Sequence, residues 1–78
     1  MKVFKVLGSG CTNCVKTAEL IEQVAQEHGI DVHVDKVTDM EEIMNYDVLT
    51  TPAVVMDGQV MHSGSVPTPD AVLAWLKI

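Results

Sequence analysis

The 78-residue chain contains no arginine, and its five lysines stand against eleven acidic residues, giving a net charge of −6. Nucleic-acid binding needs a basic face to neutralise phosphates, and adhesion to an anionic bilayer needs the same, so both are disfavoured. A charged partner is expected to be basic. Aromatic residues make up only 4% of the chain. The core must therefore rest on Val, Ile, Leu, Ala and Met, with Met40, Met44, Met56 and Met61 as adaptable filler. Apolar runs such as "PAVVM" (52–56) are too short to span a bilayer. The start, "MKVFKVLGSG", lacks the apolar stretch and small-residue cleavage site of a secretory leader, so a cytoplasmic location is expected.

Cysteine is scarce too: Cys11 and Cys14 are the only two. Two cysteines do not make a secreted disulfide framework. A bridge across two intervening residues also closes the kind of loop from which a cross-link removes least chain entropy, which argues against a structural staple. Two thiolates make half of a tetrahedral zinc site, and no second pair exists. His28, His33 and His62 are scattered and read as surface or strand-face residues. Two-coordinate Cu(I) needs only two thiolates, so it stays open beside redox chemistry.

The remaining pattern is that of one small α/β domain spanning 1–78. "KVFKVL" (2–7) reads as a strand ended by Gly8. From Cys14 the apolar positions Thr17, Ala18, Ile21, Val24 and Ala25 recur at helical spacing, up to Gly29. "IDVHVDKV" (30–37) alternates, with Ile30, Val32 and Val34 on one face, and predicts a half-exposed strand near a sheet edge. Thr38 and Glu41 form a capping-box pattern for a short helix through Met40, Ile43 and Met44. "VLTTPAVVMDGQVMHSG" predicts two strands joined at Asp57–Gly58. Thr68 before Pro69 opens a last helix with Val72, Leu73, Trp75 and Leu76. The order β-α-β-α-β-β-α implies a four-stranded mixed sheet with helices on both faces.

This order places Cys11 near the start of the first helix and Cys14 in its first turn. Unpaired N–H groups and the helix dipole favour negative charge there, and the thiolate is the nucleophile in disulfide exchange. Cys11 is expected to be the exposed, attacking sulfur. Cys14 is expected to be partly buried and to resolve the mixed disulfide. Gly8 and Gly10 let the loop turn tightly. Lys16 is the nearest cation in sequence, and its side chain is expected to point outward.

"VLGSGCTNC", "KVTDMEEIMNYDVLTTPAVVMDGQVMHSG" and "VPTPDAVLAWL" together resemble the thioredoxin/glutaredoxin superfamily, and more narrowly its small redox-active disulfide proteins, over nearly the whole chain. The resemblance implies a thioredoxin-like fold and a thiol–disulfide oxidoreductase acting on protein disulfides. It implies Cys11 as nucleophile, Cys14 as resolving cysteine, Pro52 as a cis-proline facing them, and Thr51 offering its backbone to an extended substrate. It implies no cofactor, a thioredoxin-reductase-type reductant and a monomer. No counterpart of the buried acid that accepts a proton in thioredoxins is visible. The rival resemblance is to the heavy-metal-associated domain of Cu(I) chaperones. That family carries Met where this chain has Ser9, and it runs β-α-β-β-α-β.

Overall fold

Four apolar residues in a row, Ala53–Met56, can be buried without exposing any of them only on an inner strand covered on both faces. That is where they lie. The computed structural model describes residues 2–78. Its elements are β1 (Lys2–Leu7), α1 (Thr12–Glu27), β2 (Val32–Val37), α2 (Met40–Asn45), β3 (Ala53–Met56), β4 (Gln59–Ser63) and α3 (Pro69–Leu76). The sheet order is β2-β1-β3-β4. β1 pairs in parallel with β2, while β1/β3 and β3/β4 are antiparallel. The predicted element order and mixed sheet are those observed. β2 does lie at an edge, although it begins at Val32 rather than Ile30.

Because side chains alternate along a strand, the sheet builds two cores. Phe4, Val6, Val54 and Met56 meet Ala18, Ile21, Val24 and Ala25 of α1 and Val72, Trp75 and Leu76 of α3. On the opposite face, Leu7, Val37, Ala53 and Val55 meet Ile43 of α2, with Tyr46 and Val48 packed alongside. The hairpin turns at Asp57 and Gly58, both left-handed with φ of 49° and 87°, the signature of a type I′ turn. The β3/β4 register shifts between Val54 and Val55. Beyond this bulge Met61 packs against the first core and His62 lies 6.2 Å from the Trp75 ring. Thr68 caps α3 by accepting the Ala71 N–H at 3.2 Å, with Pro69 at the first helical position.

α2 departs from expectation in two ways. Its cap is Asp39, whose carboxylate accepts the Glu41 N–H at 3.0 Å. Thr38 lies between β2 and this cap, so the helix starts one residue later and no Thr38–Glu41 box forms. Met40 and Met44 are not core filler: they are 59% and 68% exposed. A six-residue helix turns about one position toward the sheet, and Ile43 takes it. Ile43→Ala is therefore expected to destabilise the protein by about 2–4 kcal/mol, and Met44→Ala by less than about 0.5 kcal/mol, as measured by denaturant unfolding. Equal costs would contradict this packing.

Candidate active site

Strand direction decides what meets at one end of the sheet. β1 and β2 are parallel, so their C-terminal ends lie side by side, and Gly8 N–H donates to Val37 C=O at 2.9 Å just beyond the paired strands. β3 runs the other way, so its N-terminal end arrives at the same edge. Three connections therefore converge: Gly8–Gly10, Lys36–Thr38 and Thr51–Pro52.

Gly10 takes a φ of 84°, which turns the chain from β1 into α1. Cys11 is then the N-cap, extended at φ −67° and ψ 162°, and its Sγ accepts the Cys14 N–H at 3.2 Å. A sulfur stands where Ser or Asp oxygen usually caps a helix. A thiolate at this position would keep that N–H and gain from the dipole behind it. No acidic residue occupies the first turn to oppose it. Thr17, one turn on, is fully buried, and its hydroxyl donates to the Asn13 carbonyl at 2.7 Å, so the turn carrying Cys14 is tied from inside.

Cys11 and Cys14 form a disulfide, with Cα atoms 5.1 Å apart. Cys11 is exposed, whereas Cys14 is 5% exposed within the α1/α3 core. So short a loop contributes only about 2 kcal/mol by chain entropy, against about 4.7 kcal/mol for a hundred-residue loop. Gly8 lies directly under the buried sulfur. A Cβ there would collide with Cys14 Sγ, stand 3.2 Å from Cys14 Cβ and lie 3.7 Å from Thr51 Cβ. The glycine is required by close approach, and the same contact places Thr51 beside the disulfide.

The Thr51–Pro52 peptide is cis. Pro52 is fully buried and its carbonyl accepts the Gly64 N–H at 2.9 Å, which anchors it to the hairpin. Thr51 is exposed, and among the described residues its N–H and C=O have no partner. All four residues expected at the site thus share one end of the sheet.

Two lysines were not anticipated there. Lys5 points to the α2 face, where its ammonium donates to the Tyr46 hydroxyl at 3.3 Å and lies 6.0 Å from the ring centre. The hydrogen bond to Tyr46, then attraction to Tyr46, Glu42 and Asp35, raises its pKa. Lys36 stands opposite Val6, on the sheet face that carries Cys14, and helps line a small cavity behind that sulfur. The signal was in the sequence: the alternation of Val32 and Val34, carried two residues further, lands on Lys36. Among the described residues no three of His, Cys, Asp and Glu are grouped to hold a metal ion.

A family model described as a thioredoxin domain matches residues 2–77. A thioredoxin of Methanocaldococcus jannaschii is 35% identical over 77 residues, covering 99% of this chain and 88% of its own. The chain belongs to the thioredoxin family. A thioredoxin of Methanothermobacter thermautotrophicus is 25% identical over 72 residues, covering 92% of this chain and 94% of its own. Among solved structures, oxidised mitochondrial thioredoxin 3 of Saccharomyces cerevisiae superposes with a TM-score of 0.66 at 20% identity, over 97% of this chain and 76% of that one. Thioredoxin-2 of the malaria parasite gives 0.69 at 12% identity, over 99% and 82%. These last two matches establish the fold.

With its family and its Cys-x-x-Cys disulfide, the protein is a thiol–disulfide oxidoreductase. Thioredoxins act on protein disulfides and work with reductase partners. The Cu(I)-chaperone alternative finds no support in these relatives. The contact under Cys14 has a measurable consequence. On reduction the Cys14 side chain is released from Cys11 and can rotate away from a new methyl group. Gly8→Ala is therefore expected to destabilise the oxidised protein by about 1–3 kcal/mol and the reduced protein by less. Denaturant unfolding with and without reductant measures both, and an equal loss in the two states would contradict the contact.

Proposed function

We propose that this chain, as a single domain, is an electron carrier in which Cys11 attacks protein disulfides and Cys14 resolves the mixed disulfide. The observation that carries this reading is the asymmetry within one bond: an exposed sulfur at the helix cap and a buried one a turn later. Only the first can be reached by a substrate sulfur. Only the second is held within the protein, beside the first, to release the product.

Thr51 supplies the substrate-binding edge. Its unpaired N–H and C=O can take up an extended peptide as an added strand, with Pro52 fixing the turn that presents them. The substrate disulfide would then lie along the Gly8–Cys14–Thr51 contact, next to Cys11. The partners in this reading are protein disulfides and a thioredoxin-reductase-type reductant. The carrier works as a monomer in the cytoplasm. No helix among the described residues is long and apolar enough to cross a membrane.

The roles are separable by experiment. The reduced protein is expected to reduce a model protein disulfide and to return to the Cys11–Cys14 disulfide. Cys14→Ser is expected to accumulate a stable mixed disulfide through Cys11, visible as a mass increase on non-reducing analysis. Cys11→Ser is expected to give no such adduct and to lose at least about a hundredfold in exchange rate, because the remaining thiol is buried. Retained activity in Cys11→Ser would reverse the assignment.

A further inference from the structure

Leu49, two residues before Thr51, stands fully in water. It is 99% exposed, more than any other large apolar residue described. Single exposed leucines are common on protein surfaces, but this one is held there. Its neighbour Val48 packs against the second core, and Pro52 is fully buried. Asp47 turns the chain in the left-handed region, at φ 58°, and its N–H donates to the Met44 carbonyl at 3.1 Å. At the other end the Pro52 carbonyl accepts the Gly64 N–H at 2.9 Å. The segment 47–52 is thus tied at both ends. Val48 and Pro52 take its inward places, so Leu49 points out. An apolar side chain fixed in water gains free energy when a partner covers it, and a fixed one loses little entropy in the process. Met40 and Met44, one turn apart on the same side of α2, extend the exposed apolar surface along the helix that leads into this segment.

The charge around these residues has one sign. Between Lys36 and Lys77 the chain holds no lysine but six acids, Asp39, Glu41, Glu42, Asp47, Asp57 and Asp70. Elsewhere five lysines balance five acids, so the whole net charge of −6 lies in the stretch that also carries Leu49 and Thr51. Glu41 and Asp47, next in the chain to Met40 and Val48, are both exposed. A second copy would bring the same negative charge face to face. A partner that is apolar and positively charged is attracted instead.

We propose that Leu49 determines which disulfides this carrier reduces: it enters an apolar recess next to the disulfide of a protein substrate whose flanks carry lysine or arginine. Met40 and Met44 form an adaptable margin to that contact, as unbranched thioether side chains do. Glu41 and Asp47 meet the substrate's basic side chains. This rests on the reading of Thr51 as the peptide edge and of the cysteine pair as the exchanging group. Leu49 takes no part in the exchange itself. It sets how often, and in what company, a substrate disulfide is brought to Cys11.

Three probes test this with the full chain in its reduced form. Two are synthetic peptides with the same internal disulfide beside a leucine, one flanked by lysines and the other by glutamates. The third is hydroxyethyl disulfide, which carries neither an apolar side chain nor a charge. The lysine peptide is expected to react about fivefold faster than the glutamate peptide, and the preference is expected to shrink in rising salt. Leu49→Ser is expected to lower the ratio of the lysine-peptide rate to the hydroxyethyl disulfide rate by about fivefold or more. Glu41→Gln combined with Asp47→Asn is expected to remove most of the preference for lysine over glutamate, and asparagine tolerates the left-handed backbone at 47. Equal rates with the two peptides, or a Leu49→Ser ratio equal to that of the unaltered protein, would overturn the proposal. So would a dimer in sedimentation that Leu49→Ser dissolves, because the leucine would then belong to a second copy. Each of these results leaves the oxidoreductase reading intact. A reduced protein that fails even with hydroxyethyl disulfide would overturn that reading and this proposal together.

Discussion

The cap of α1 is a sulfur, and the rest of the site depends on that fact. A helix begins with N–H groups that have no partner in the helix, and some acceptor must meet them. Here Cys11 Sγ meets the Cys14 N–H, so one atom ends the β1 loop, starts the helix and carries the redox chemistry. Stability and reactivity draw on the same hydrogen bond. A negative sulfur strengthens the cap, and the cap favours the negative sulfur. The second sulfur follows from helix geometry: three residues on, it stands above the first and turns into the core.

The fold then has to bring the Thr51–Pro52 turn to that cap without filling the space around it. Strand polarity does this. Parallel β1/β2 and antiparallel β1/β3 pairing place two strand ends and one strand start at the same edge of the sheet. The Thr51–Pro52 peptide can therefore stand beside Cys14 although it is nearly forty residues away along the chain. Gly8 sets the spacing between them, and any side chain there would enlarge it. The two cores hold this geometry from both faces. α1 and α3 cover the side that carries Cys14, and Ile43 with Tyr46 covers the other.

Most of this was legible in the residues because it follows from local rules. Helical spacing from Thr17 to Ala25, the Asp57–Gly58 turn and Thr68 before Pro69 each act over a few residues and are seen where expected, and the alternation read over 30–37 gives a strand that starts two residues later, at Val32. The exposure of Cys11 and burial of Cys14 follow from one helical turn in the same way. What failed was tertiary. Met40 and Met44 are apolar at helical spacing, yet a helix of a turn and a half has too little contact with the sheet to bury them. The cap falls on Asp39 rather than Thr38: Asp39 is itself extended, at φ −74° and ψ 120°, and its carboxylate takes the Glu41 N–H. Lys36 was overlooked because nearness along the chain favoured Lys16. Lys36 reaches the same end of the sheet through the parallel pairing of β2 with β1, opposite Val6.

The two sulfurs of one small disulfide are made unequal by their place on the helix, one exposed at the cap and one buried a turn later. Alkylation of the reduced, folded protein by limiting reagent tests it most directly, with peptide mass analysis of which cysteine carries the label. Cys11 is expected to be modified at least about tenfold faster than Cys14, and unfolding in denaturant is expected to abolish the difference. Equal labelling of Cys11 and Cys14 in the folded protein, or faster labelling of Cys14, would contradict the account.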